Sequence, residues 1–473
     1  MPDIRVHGFA GRIDAPNPFW LASAPPTNCG EQIMRAFDAG WGGAVWKTIG
    51  EPVTNVCSRY SATDWNGLRM MGLNNIELIS DRSVDENLCE LAMVKKQYPY
   101  HAVIASLMVP SNREAWHEIV ARAEDAGADG LELNFGCPHG MNERGMGSAV
   151  GQVPEYTEMI TGWVKEKART PVLVKLTPNV TDIRTIARAA KRGGADGISA
   201  INTINSITGI DLDTLVPRPN VDGKSSHGGY CGPAVKPIAL NMVQQIMSDA
   251  ESALPLSGMG GISTWRDAVE FMLLGCGTVQ VCTAVMHFGY RMVEDMAEGL
   301  ENWMRTKGFA TLEDFRGLSV DRVTEWKHLN LNYKIVAHID EQKCIGCDLC
   351  HIACWDGAHQ CIHVDRAEGP VNGRVELHST PAAIEERSRT SIAITPVTRQ
   401  ERAAAASNHG PYPTPLAKIP RVDETECIGC NLCALVCPVD ECITMIRVDS
   451  GLPSETWEER TRGAERATQP QVS

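Results

Sequence analysis

The chain has 473 residues, 44 Lys and Arg against 58 Asp and Glu, a net charge of −14 and 43% hydrophobic residues. That length accommodates one large α/β domain of about 250 residues plus a smaller appendage, and an acidic balance without a long Lys/Arg run argues against nucleic acid as the main partner. The start carries Asp3, Arg5, Arg12 and Asp14 with no unbroken apolar stretch, so no signal peptide is expected. The longest apolar stretch, around Ala102 to Val109, falls far short of the roughly 20 residues of a membrane helix. A cytoplasmic chain with no membrane partner is expected.

Over the first 300 residues, helical stretches end in glycine and lead at once into apolar strands. Ala39-Gly40 precedes Gly43 to Lys47, Ala126-Gly127 precedes Gly130 to Asn134, Gly193-Gly194 precedes Gly197 to Asn202, and Gly275-Cys276-Gly277 precedes Thr278 to Cys282. Further strands are predicted at Phe19 to Ala22, Ala102 to Leu107, Val172 to Leu176 and Leu254 to Ser257. Eight strands alternating with helices imply a parallel α/β fold, and a (β/α)8 TIM barrel over residues 1–305 fits them better than an open sheet. In the helix predicted over Pro237 to Ala250, Ile238, Met242, Val243, Ile246 and Met247 recur at helical spacing and are expected to cover the barrel wall.

Past Arg305 the rhythm stops. Residues 306–334 read as a connector and 335–450 as a second domain, with a surface insertion at about 366–420 that is rich in Ala, Pro, Glu, Arg and Ser. The charged tail, 451–473, is expected to be mobile. The second domain holds two runs, Cys344, Cys347, Cys350, Cys354 and Cys427, Cys430, Cys433, Cys437, both spaced C-x2-C-x2-C-x3-C. This is the spacing of a two-cluster ferredoxin-like module, in which each tight loop turns thiolates onto one [4Fe-4S] cube and the fourth cysteine reaches the neighbouring cube. Disulfides fit poorly with a chain lacking a secretory signal, and zinc sites rarely take this packing. Cys29, Cys57, Cys89, Cys231, Cys276, Cys361 and Cys442 are read as structural.

In a TIM barrel the active site lies at the carboxyl ends of the strands. Here those ends carry Ala22-Ser23-Ala24, Lys47-Thr48, Asn134 with Cys137 beyond it, Lys175, Asn202-Thr203, Ser257 to Gly261, and Cys282-Thr283. A lysine at the end of a buried strand is costly without a negative partner, so two of them point to an anionic ligand. Gly258, Gly260 and Gly261 follow the seventh strand and Cys282-Thr283 the eighth, the usual phosphate site of this fold. Iron–sulfur clusters exchange single electrons, and a flavin can pass these on as hydride. A phosphate-bearing flavin is therefore expected over the barrel mouth.

Several stretches now resemble a known family: Lys47-Thr48, Leu73 to Ser80, Asn134-Phe135-Gly136-Cys137-Pro138-His139-Gly140-Met141, Lys175 to Asn179, and Asn202-Thr203. They are similar to the dihydropyrimidine dehydrogenases, in the form of the bacterial catalytic subunit, and more broadly to the dihydroorotate dehydrogenase barrel. The resemblance runs from Phe19 to about Ile446 apart from the insertion. It implies FMN and two [4Fe-4S] clusters, with Ser23, Lys47, Thr48, Lys175, Gly232, Gly260, Gly261, Cys282 and Thr283 at FMN-binding positions. It implies substrate contacts at Asn75, Asn134, Phe135, Gly136, Asn202 and Thr203, and a general acid/base at Cys137. Gly136 departs from the family's usual Ser, and Trp355 follows Cys354 where Pro438 follows Cys437.

The residue chemistry agrees with those roles. An Asn amide both donates and accepts, which suits the alternating C=O and N–H edge of uracil or thymine. Reducing the C5–C6 bond requires hydride on one carbon and a proton on the other, and a loop thiol can provide the proton. Gly140, Gly145, Gly147 and Gly151 make the loop after Cys137 a candidate lid, and His139 a candidate proton relay or a hydrogen-bonded loop residue. No G-x-G-x-x-G follows an early strand, so NAD(H) or NADP(H) is expected to act through a separate FAD-binding flavoprotein subunit. A homodimer of the barrel is also expected. Two other readings stay open: oxidation of dihydroorotate or another cyclic amide, and an electron carrier with no substrate of its own.

Overall fold

The computed structural model describes residues 2–65, 67–138, 140–364 and 420–468. Eight strands, Phe19–Leu21, Gly43–Val45, Ala102–Leu107, Gly130–Asn134, Val172–Lys175, Gly197–Ala200, Leu256–Met259 and Cys276–Val281, pair in parallel and in sequence order into a closed barrel. All eight strand expectations are met, with ends shifted by one or two residues. The runs are buried almost throughout because both faces are covered, by side chains within the barrel and by helices outside it. Glycines at the strand starts admit the amino-end hairpin formed by Val6–His7 and Ile13–Ala15. A Cβ on Gly197 would fall 2.6 Å from the Phe9 ring, and Phe9 also packs against Trp20 with ring centroids 6.1 Å apart.

The outer helices begin where side chains satisfy their first amides. Ser83 and Glu86 cap the helix Val84–Gln97 reciprocally, Asn112 caps Arg113–Asp125, and Thr264 with Asp267 caps Trp265–Leu273. In the helix Lys236–Ser248 the expected apolar stripe is narrower than its spacing implied. Val243 and Ile246 are buried with Ala239, Met242 and Met247 pack partly against the core, and Ile238 is 43% exposed. The small Ala239 takes the inward position because it meets the turn at Gly260, 2.7 Å from where a Cβ would stand there.

One feature over the mouth had no counterpart in the sequence reading. Tyr60–Trp65, Leu68–Asn75, Ile204–Ser206 and Gly228–Cys231 form a four-stranded antiparallel sheet drawn from two distant loops. The chain divides into two compact units, Met1–Val323 and Thr324–Ser473. Leu312 and Phe315, in the stretch read as a connector, are buried in the first unit's core because they close over the helix carrying Trp303.

In the second unit Lys334–Ile339 pairs antiparallel with Ile443–Val448, and Ile362–Val364 with Pro420–Val422. Helices Leu349–Gly357 and Leu432–Val436 follow the two cysteine loops. Part of the tail is helical, over Trp457–Thr468. His139 and the insertion up to residue 419 lie outside the described residues. Among the described residues no helix is long and apolar enough to cross a membrane.

Candidate active site

The carboxyl ends of the barrel strands open into a cavity. Of the residues singled out from sequence, Ser23, Lys47, Thr48, Asn75, Asn134, Cys137, Lys175, Asn202, Thr203, Gly232, Gly260, Gly261, Cys282 and Thr283 all line it. Two do not. The Phe135 side chain is buried in the core, edge-on to Trp116 with centroids 6.0 Å apart, because residue 135 points to the opposite side from Asn134. Gly136 instead supports the lining from behind, since a Cβ there would lie 2.4 Å from Asn202 Nδ2.

The polar groups interlock. Asn202 Nδ2 donates to Asn134 Oδ1 at 3.0 Å, Asn134 Nδ2 donates to Thr48 Oγ1 at 2.9 Å, and Thr48 Oγ1 lies 3.1 Å from Ser23 Oγ and 3.0 Å from Ser106 Oγ. Asn75 is held from the overlying sheet, its Nδ2 donating to the Gly229 carbonyl at 3.0 Å. The Thr203 amide bonds Asn202 Oδ1 at 2.8 Å, and Asn179 Nδ2 reaches the Thr203 carbonyl at 3.1 Å. Asn179, which contacts no cavity directly, is thus a supporting residue that strand-end reading alone does not single out.

The two buried lysines are answered within the chain. Lys47 pairs with Glu77, which Tyr60 also contacts and Arg59 approaches at 3.5 Å. Lys175 Nζ lies 3.6 Å from Glu132 Oε1, an atom without any hydrogen bond. Glu132 is fully buried in the barrel floor, where Gln280 Nε2 donates to its Oε2 at 3.0 Å and to Ser199 and Ser257 at 3.2 and 3.1 Å. The expectation that lone lysines call for an anion is therefore corrected: each has a carboxylate, as buried charge demands. Glu77 was visible within the Leu73 to Ser80 stretch, two residues past Asn75, where its strand ends.

The far wall fits a phosphate-bearing flavin. Gly232, Gly260 and Gly261 have φ of 92°, 126° and 78°. A Cβ on Gly261 would stand 2.8 Å from the Lys236 backbone nitrogen, so only glycine leaves this cradle open. Cys282 and Thr283 close it, with Thr283 Oγ1 3.1 Å from Cys231 Sγ, and burial pushes the Cys231 thiol up to about 11. Burial raises the Cys282 thiol as well, so both thiols stay neutral at physiological pH and present no competing negative charge.

Cys137 is buried against Val53, Ile79, Met108, Met141 and Met146 at the cavity edge. The Ser148 amide bonds its carbonyl at 3.0 Å, tying the glycine-rich loop back onto the thiol's own residue.

No disulfide joins any of the seventeen cysteines of the chain, ten of which lie in the second unit. The two cysteine loops have the same backbone: Gly346 and Asp348 at φ of 64° and 59°, Gly429 and Asn431 at 70° and 68°. One cavity is lined by Cys344, Cys347, Cys350 and Cys437, the other by Cys354, Cys427, Cys430 and Cys433. Three sulfurs of each run thus share a cavity with the last cysteine of the other run, as a crossed two-cluster ferredoxin requires. Among the described residues no three such groups converge as tightly as a single metal ion needs.

Comparison with known proteins agrees with both units. The dihydroorotate dehydrogenase family model matches residues 10–304, and the 4Fe-4S dicluster domain model matches 343–441. The chain is 45% identical over 356 residues to the NAD-dependent dihydropyrimidine dehydrogenase subunit PreA of Escherichia coli strain K12, covering 75% of this chain and 86% of that protein. It is 45% identical over 335 residues to the chloroplastic dihydropyrimidine dehydrogenase (NADP(+)) of Arabidopsis thaliana, covering 68% and 78% respectively. It is 36% identical over 308 residues to the catalytic subunit of dihydroorotate dehydrogenase B (NAD(+)) of Pyrococcus abyssi, covering 64% and 95%. The chain therefore belongs to the dihydroorotate dehydrogenase family, as a dihydropyrimidine dehydrogenase whose barrel is followed by a 4Fe-4S dicluster domain.

Proposed function

We propose that this chain interconverts uracil or thymine with the 5,6-dihydro base, using Cys137 as the acid/base. The observation that carries the reading is the convergence of Cys137 with Asn75, Asn134, Asn202 and Thr203 on one cavity whose other wall is the glycine cradle. FMN would be held by Ser23, Lys47, Thr48, Lys175, Gly232, Gly260, Gly261, Cys282 and Thr283, and would supply hydride when bound, with electrons reaching it from two [4Fe-4S] clusters.

The remaining steps belong to the chain. The asparagine amides and Thr203 pair with the carbonyls and N–H groups of the base and fix its plane. Polarising the C4 carbonyl makes C6 the hydride-accepting carbon, because C6 is conjugated to it through C5. The negative charge then developing at C5 is quenched by the Cys137 Sγ proton, and the thiolate is reprotonated from solvent before the next turnover. In the oxidative direction the same thiolate removes that proton. Opening of the loop 140–151 would admit the base, and its closure would keep water from the thiol.

A pyrimidine base fits better than a carboxylate-bearing ring. Lys47 and Lys175 already face Glu77 and Glu132, so orotate would add a third negative charge to a balanced site. For nicotinamide chemistry the reading requires a separate FAD-binding flavoprotein subunit, consistent with the subunit status of the Escherichia coli relative. The exposed Ile207, Ile210, Leu212 and Leu215 are an apolar strip that a second barrel could cover in a homodimer. A reducing compartment, the cytoplasm, suits seventeen unbridged cysteines.

Anaerobically purified protein is to be analysed for FMN, iron and sulfide, then reduced chemically and given uracil, thymine or orotate. The reading expects FMN, two clusters' worth of iron and sulfide, and dihydrouracil or dihydrothymine as product. Cys137→Ala should keep FMN and lose about 10²- to 10⁴-fold in turnover, the usual range for a lost general acid. Full activity in that variant would remove Cys137 from the mechanism, and orotate as the preferred substrate would overturn the pyrimidine reading.

A further inference from the structure

Each cysteine cavity holds one thiol more than a cubane binds. Cys442 lines the cavity of Cys344, Cys347, Cys350 and Cys437, and Cys361 lines that of Cys354, Cys427, Cys430 and Cys433. Sequence spacing assigned both to structure, since the repeated C-x2-C-x2-C-x3-C pattern accounts for only four ligands per run.

Both extra thiols touch the last cysteine of a run, and they differ in their other partners. Cys442 Sγ faces Cys437 and also turns to the Asp340 carbonyl, 3.8 Å away. Cys361 Sγ lies 3.5 Å from Cys354 Sγ, with both side chains buried, and it also faces Cys427. The position of Cys361 is fixed from both sides. The carbonyl of the next residue, Ile362, accepts from Trp355 Nε1 at 2.8 Å and bonds His351 Nδ1 at 2.7 Å, which ties it to the helix of Cys354. The Cys361 carbonyl accepts the Asp423 amide at 2.7 Å, which ties it to the loop leading to Cys427. The residue after Cys354 is Trp355, and its indole makes one of these bonds. The departure from the Cys-Pro pattern is therefore part of what seats Cys361 beside its neighbour.

We propose that Cys361 is an alternate fourth ligand, able to replace Cys354 on the cluster held by Cys427, Cys430 and Cys433. The inference rests on the two-cluster reading of the preceding section. In the exchange an iron–sulfur bond to Cys354 breaks and one to Cys361 forms, while the Cys361 thiol proton passes to Cys354. Net charge and oxidation state are unchanged, and no oxidant or reductant is required. The short separation of the sulfurs lets either reach the same corner of the cavity with a side-chain rotation.

The test uses full-length protein purified anaerobically, with iron and sulfide assays and electron paramagnetic resonance of the dithionite-reduced state. Wild type, C354A, C361A and C354A/C361A are compared. The proposal expects C354A to retain the iron and sulfide of wild type with an altered resonance, and the double variant to lose half of both. Loss of half the iron in C354A alone overturns it. Should C354A be insoluble, C354S and C354S/C361A are compared instead: iron that falls only when Cys361 is also removed supports the exchange, and iron indifferent to Cys361 overturns it. A wild-type protein with iron for fewer than two clusters would instead defeat the underlying reading, a separate outcome.

Discussion

Asn134 and Asn202 follow the two barrel strands that flank Val172–Lys175 and are joined across it by one hydrogen bond, Asn202 Nδ2 to Asn134 Oδ1 at 3.0 Å. Each amide fixes the other's orientation. With Asn134 Nδ2 committed to Thr48, the donor and acceptor faces shown to the cavity are set before a ligand arrives. Such preorganisation lowers the ordering cost of binding.

Asn202→Ala removes one reading group and releases its partner. At about 1.5–3 kcal/mol for a lost bond plus an unsatisfied buried partner, kcat/KM for uracil should fall roughly 10- to 10²-fold. Most of the change should appear in KM, with FMN content unaltered. Steady-state kinetics alongside flavin absorbance checks this, and an unchanged KM would take Asn202 out of substrate recognition.

Gly136 supports the same pair by lacking a side chain. Because a Cβ would stand 2.4 Å from Asn202 Nδ2, Gly136→Ala must push the Asn202 amide away from Asn134. The expected result is a rise of about tenfold in uracil KM, near 1.4 kcal/mol, with little change in thermal stability, since the displaced amide lies on the cavity side. Combining Gly136→Ala with Asn202→Ala should cost little more than Asn202→Ala alone, because both act through one side chain.

The Lys47–Glu77 pair separates folding from cofactor binding. Both side chains are buried, so Glu77→Ala leaves an ammonium without its carboxylate and should lower stability by about 3–5 kcal/mol. Replacing both, as Lys47→Met with Glu77→Met, removes the charges together and should recover most of that loss. Tyr60, 37% exposed, can bond water instead of Glu77. If Lys47 holds the flavin, the double variant should fold yet bind FMN poorly. Denaturant titration and flavin titration, run on the same samples, read the two effects independently.

What the sequence made legible follows from how locally each feature is encoded. The barrel strands are continuous apolar runs reached through glycine-ended helices, so Ala102 to Leu107 and Gly130 to Asn134 could be delimited without tertiary information. The sheet over the mouth could not. Tyr60–Trp65 mixes exposed and half-buried positions, and the strands on the far side of the sheet, Ile204–Ser206 and Gly228–Cys231, come from a segment more than 130 residues away. Strand ends located the lysines but not their carboxylates, because Glu132 faces the barrel interior and Glu77 lies just past the end of a strand of that sheet. Phe135 was misjudged because a motif does not state which of its side chains points inward. The spacing of Cys354 and Cys437 implied crossed ligation, whereas the seats of Cys361 and Cys442 depend on strand pairing that spacing does not reveal.

The Arg188–Asp249 pair yields a pH dependence. Arg188, on the helix Ile183–Arg192, contacts Asp249 at 2.8 and 3.0 Å just past the end of the helix Lys236–Ser248. The guanidinium holds the Asp249 carboxyl down from its usual 3.8 to about 2. A depressed carboxyl contributes stability that is full above the unfolded value and disappears as pH falls through the folded one. Arg188→Met should therefore be less stable than wild type at pH 7, by about 1 kcal/mol or less, because the Arg188 side of the pair is open to solvent. That difference should shrink as pH falls from about 4 towards 2 and should also narrow with added salt. Urea midpoints followed by tryptophan fluorescence across that range test the sign: a gap that stays constant into acid would mean that Arg188 stabilises the helix pair through its stem rather than through its charge.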